Sequence, residues 1–273
     1  MPTPDRETPA LSTTSLPPAP WLREVTFHGL LASLTPLIPL PLLDDWAAQW
    51  VERRQVRKIF ARRGFTAEPW HLEVLIWDGQ EGARHGCLTP LRFALKLWLY
   101  VLKKGFRKLL IFLLLKDCVD RFSTSFHHGY LLQLAFERGA IDRRVLAGGE
   151  RLIEVRQAML ATCEAVDPRP LNQLVKRVLA SSKRVMLAAA RTFGSLLKAE
   201  RKRDRDGGDA DTAAEAALGG SGTAFGRLIE QLSAALWRDE DYRKELARVF
   251  GVALARQSAA MGDEPPVVQS PPA

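Results

Sequence analysis

At 273 residues the chain is long enough to bury a sizeable core, in one large domain or two small ones. Its 39 Lys and Arg against 31 Asp and Glu give a net charge of +8, which suits an anionic partner without separating nucleic acid from a lipid surface or an acidic protein. Cys87, Cys118 and Cys163 are odd in number and far apart, which excludes a disulfide framework and fits a reducing compartment.

The opening MPTPDRETPA has no basic region leading into an apolar run, so the expectation is a cytoplasmic protein, peripheral at the inner face of the membrane if it meets one. Leu, Ala, Arg and Lys dominate and alternating runs are scarce. The fold class expected is therefore all-α: a multi-helix globular bundle with disordered N- and C-terminal tails and a flexible linker before a C-terminal helical unit.

Residues 1–20, rich in Pro, Thr and Ser, read as a disordered arm. From Val25 to Leu43 the chain carries no formal charge apart from His28 and approaches the ~20 residues that a membrane-spanning helix needs. Pro36, Pro39 and Pro41 in its second half favour a short helix followed by an extended turn, with a re-entrant or interfacial hairpin as the alternative. Asp44 and Asp45 then open a helix that Gly64 ends. Trp46, Ala47, Trp50, Val56, Ile59 and Phe60 approximate its apolar face, and Arg53, Arg54, Arg57 and Lys58 belong to a strongly basic remainder.

The stretch PLIPLPLLDDW, followed by a helix with Gln55, Arg57, Ile59 and the terminal Gly64, resembles a segment of the EcsC-like family and of the membrane-associated helical domain appended to some bacterial GTPases. The resemblance covers about residues 34–65, has an Asp pair where a single acid is usual, and brings no GTPase signature. It implies an all-α, membrane-associated bacterial protein of undefined function.

Thr66 to Trp77 reads as a short helix capped by Thr66, or as a buried strand. Thr89 and Pro90 start the helix that organises the chain, TPLRFALKLWLYVLKKGFRKLLIFLLLKDCVDRFSTSFHHG. A short helix follows Gly129, another spans about residues 149–166, and a long one about 170–202. Residues 200–223 read as the linker, 224–257 as a C-terminal helical segment broken near Asp239, and 258–273 as a disordered tail. The main helical domain is thus 21–199.

Two constellations in the Thr89 helix carry chemistry. Asp117, Asp120, Thr124 and His128 are offset by 0, 3, 7 and 11 residues and share a helix face, with His127 beside them. Carboxylates with imidazoles suit a transition metal or a general acid–base pair, so Asp117, Asp120, His127 and His128 are the candidate metal ligands of a helical enzyme; a structural polar seam is the plainer reading. Lys96, Lys103 and Arg107 share a face too, with Lys104 and Lys108 alongside and apolar residues around the rest, as in a helix lying on a lipid surface or as in a core helix with one solvated stripe.

The phosphate-binding loop, the dinucleotide fingerprint, the paired-His zinc helix and the GxSxG elbow are absent, so no cofactor and no catalytic residue is assigned. The leading expectation is a non-enzymatic protein that meets an anionic membrane surface or a helical protein partner. The alternatives are a metal-dependent or acid–base enzyme using the Asp/His face, and a nucleic-acid binder using the basic helices.

Overall fold

The computed structural model describes residues 19–38, 43–76, 107–203 and 213–260. All regular structure among them is helical, with no strand, and the fold is all-α. The expected N-terminal arm, the C-terminal tail, Cys87, Lys96, Lys103, Lys104 and the start of the Thr89 helix lie outside the described residues, apart from the last residues of the arm and residues 258–260 of the tail, which are helical.

Helix α1 runs from Pro20 to Leu34 with proline at its first position, where a missing N–H does no harm. From Val25 to Leu34 every residue is buried. That places the first part of the uncharged run in the protein interior as a short helix, the favoured reading of the sequence, while residues 39–42 lie outside the described residues. Its polar residues tolerate burial because they bond their own helix: Thr26 Oγ1 donates to the Leu22 carbonyl (2.7 Å), Ser33 Oγ to Leu30 (2.6 Å) and Thr35 Oγ1 to Ala32 (2.9 Å). A 3-10 turn over Thr35–Leu37 ends the segment.

Helix α2, Leu43–Arg62, stops as its sequence predicts. Gly64 takes a φ of 75°, the Phe65 N–H reaches back to the Phe60 carbonyl and the Gly64 N–H to Ala61, closing a Schellman cap. Helix α3, Pro69–Leu75, is capped by Glu68 rather than Thr66, and His71 explains the shift. Its Nδ1 accepts from the Glu68 N–H (2.9 Å) while its Nε2 contacts the Leu146 carbonyl (3.0 Å).

Helix α4, Arg107–Glu137, is the long central element and passes through Gly129 without a break, where a new helix was expected. The glycine serves a close approach, not a stop. A Cβ there would lie 2.0 Å from Gln55 Nε2 and 3.0 Å from Val25 Cγ1. Buried Gln55 uses the space to clasp Ser125, donating to its carbonyl and accepting from its hydroxyl, both at 3.2 Å. A Cβ on Gly29 of α1 would similarly stand 3.0 Å from the Phe122 ring of α4.

Helix α5 (Arg143–Gly148) is capped by Asp142, and α6 covers Glu150–Ala165. The long helix expected over 170–202 is two, α7 (Arg169–Ser181) and α8 (Lys183–Arg203), because Ser182 leaves helical geometry at φ −106°, ψ 20°. Part of the expected linker is ordered helix: Glu215–Gly219 forms a π-helical turn with Leu218 buried, held by Lys58 on Glu215 and by Arg23 on the Gly219 carbonyl.

Helices α9 (Ala224–Arg238) and α10 (Glu240–Ala260) meet at Asp239, the expected break. α1 packs on α4, α9 and α2, and α10 lies along α6. One apolar core links all of them, from Leu22 to Ala253, so the C-terminal helices share the interior of the main body.

Candidate functional site

The burial of α4 changes along its length, and that gradient separates the residues singled out in the sequence. At 1.5 Å per residue its 31 residues span about 46 Å. Leu113 is 43 % exposed, Leu114 and Leu115 are half-buried, Lys116 and Asp117 are exposed, and the helix enters the core at Cys118. Arg107 and Lys108 open the helix, with side chains outside the described residues.

Asp117 and Asp120 therefore stand at the surface while His127 and His128 are inside. Asp120 pairs with Lys116 at 3.5 Å. Partial burial, then the Asp120 charge, raises the Asp117 carboxyl above its ordinary range. His127 Nε2 meets the Tyr242 hydroxyl of α10 at 2.5 Å and its Nδ1 lies 3.4 Å from Ser123 Oγ. Burial lowers its pKa to about 4, and a bond to the Ser123 backbone offsets this only in part. His128 is likewise lowered to about 4 by burial, against the Leu75 carbonyl and near the charge of Arg156. Both imidazoles are neutral polar contacts between helices.

No three His, Cys, Asp or Glu side chains converge as a metal set among the described residues, so Asp117, Asp120, His127 and His128 are not brought together as one site. Cys118 and Cys163 are free thiols, each pushed up to about 12 by burial and a neighbouring acid, and neither is a thiolate at neutral pH.

The basic face of α2 is also divided. Lys58 is taken by Glu215 at 2.8 Å, and Arg54 lies over the Trp50 ring at 4.7 Å. Beyond them Arg62 pairs with Glu24 and Arg63 with Glu137. Arg53 and Arg57, one turn apart, are exposed.

A feature not singled out in the sequence lies beside the emerging end of α4. A cleft of about 310 Å³ between α4 and α7 is lined by Lys116, Asp120, Arg169, Asn172, Gln173 and Lys176, with buried Val119 also on its wall. Its α7 residues are offset by 0, 3, 4 and 7, a helical face legible in RPLNQLVK, but the apolar face of the same helix (Leu171, Val175, Leu179) carries the stronger pattern.

Comparison with protein-family models, curated proteins and solved structures finds no match. No helix among the described residues is long and apolar enough to cross a membrane.

Proposed function

We propose that the protein is a non-enzymatic helical protein that attaches peripherally to an anionic membrane surface, at the cytoplasmic face, through the emerging end of α4. The observation that carries this reading is the exposure of Leu113, with Leu114 and Leu115 half-buried, where α4 leaves the core. Over the 17 residues before Leu113 the sequence places Lys96, Lys103, Lys104, Arg107 and Lys108. Apolar side chains beside a cationic segment suit the boundary between headgroups and acyl chains, where each Lys or Arg contributes about 1 kcal/mol near an anionic leaflet. Exposed Arg53 and Arg57 add a second contact of the same sign. The resemblance of residues 34–65 to membrane-associated bacterial helical domains points the same way.

The test is flotation of the full chain with vesicles of phosphatidylglycerol and of phosphatidylcholine. Binding to the anionic vesicles alone, weakened by salt and reduced by Leu113→Asp, is the expected result. If the protein stays in the soluble fraction at low salt, the membrane reading fails and a helical protein partner becomes the occupant to seek.

A further inference from the structure

We propose that the outer face of α8 binds the phosphate backbone of a double-stranded nucleic acid, through Lys183, Arg184, Arg191 and Lys198. The positive charge of the chain is concentrated in this region. Residues 169–203, which span α7 and α8, hold ten Lys and Arg against the single Glu200, a net of +9. The remaining 29 cations against 30 acids come to −1, so the whole positive excess of the chain belongs to two consecutive helices. A stripe of one sign attracts a polyanion.

The four cations form a row. They are offset by 0, 1, 8 and 15 residues, which at about 100° per residue puts them within an arc of about 100° on α8. Arg184, Arg191 and Lys198 follow at steps of seven residues, about 10 Å each along the axis. All four are exposed, and none has an ion-pair or hydrogen-bond partner among the described residues. On α7, by contrast, Arg169 is paired with Asp167 and Arg177 bonds the Gln173 carbonyl. Lys183 and Arg184 also stand in the first turn of α8, where cations oppose the helix dipole and acids are favoured. α10 shows the favoured pattern, opening on Glu240 and Asp241. The stability of α8 gives no reason for cations at that end, whereas a bound anion does.

Two features favour a duplex over a bilayer or a single strand. The side chains that a membrane helix would insert are spent inside: Met186, Phe193 and Leu197 are in the core, and Leu187 is the one exposed large apolar side chain among the described residues of α8. Single strands are held by bases stacked on aromatic side chains, and the aromatic residue of α8, Phe193, is buried. The contact is therefore to backbone charge and indifferent to base sequence. The proposal goes beyond the membrane reading and does not rest on it, since that reading uses the emerging end of α4.

Fluorescence anisotropy of a labelled DNA duplex with the full chain, across a range of salt concentrations, tests it. The logarithm of the affinity should fall against the logarithm of salt with a slope of about −3 to −4, as four phosphate contacts require. Arg184→Gln combined with Arg191→Gln should make the slope shallower by about two and weaken binding about tenfold or more at low salt, with the helical circular-dichroism signal kept. Lys198→Gln alone should make it shallower by about one. Arg53→Gln combined with Arg57→Gln removes the same charge from α2 and should change the slope much less. No binding of the duplex at low salt overturns the proposal, and so does an equal loss in the α2 and α8 variants, which marks a response to net charge alone. Flotation on phosphatidylglycerol vesicles that the α8 pair abolishes, with no duplex bound, makes the row a lipid contact and overturns it as well.

Discussion

At Gly129 two opposing effects meet in one missing methyl group. Alanine within a helix is favoured over glycine by roughly 1 kcal/mol, so propensity alone makes Gly129→Ala stabilising. The Cβ would instead stand 2.0 Å from Gln55 Nε2 and expel a buried amide that has two hydrogen bonds to Ser125. Overpacking costs about 1–3 kcal/mol and unsatisfied buried polar groups a similar amount, so the clash outweighs the propensity. Gly129→Ala should therefore lower stability by about 2–4 kcal/mol in urea unfolding, and Gln55→Ala in the same chain should recover part of that loss. In the sequence this glycine looks like a helix stop, because nothing local records that a side chain 74 positions earlier needs the space. Gly64 is different: its left-handed φ is a local requirement, and its role as a stop was legible.

On α4 the spacing of Asp117, Asp120 and His128 sets them along one side of a continuous helix. Periodicity reports direction around an axis, however, and not how far neighbouring elements reach along it. Among the described residues the packed helices cover α4 from Cys118 onward, so one face holds solvated acids and then the buried His128 imidazole. The same limit hid the cleft, which needs α7 beside α4.

Burial of the two histidines sets a pH dependence. Their ordinary value of 6.5 falls to about 4 in the folded chain. Between these values the unfolded chain binds protons that the folded chain refuses, so this stability is present in full above pH 6.5 and lost as the pH falls toward 4. The loss should be on the order of 3 kcal/mol per histidine, read as a falling urea midpoint. His127→Gln should flatten that dependence by about half if the two sites titrate independently.

For the molecule as a whole, composition and spacing were enough for the all-α class and for most element boundaries, since amphipathic faces and Pro or Gly punctuation are local signals. The position of Val25–Leu34 was not legible, because an uncharged run reads alike whether lipid or protein surrounds it. The enclosing surface comes in part from α9, distant in sequence and adjacent in space. A chain ending at Gly222 leaves α1 without that cover, and it should lose the cooperative thermal transition by circular dichroism while keeping helical signal.

The enclosure of α1 also has a consequence in time. During synthesis from the N-terminus, α1 emerges early and α9 late, and at roughly 5–20 residues per second the interval is on the order of 10–40 s. Over that interval the most apolar helix of the described body has no complete interior to enter. Until then the apolar side chains of α1 lack part of their cover, and α9, following later in the chain, completes it.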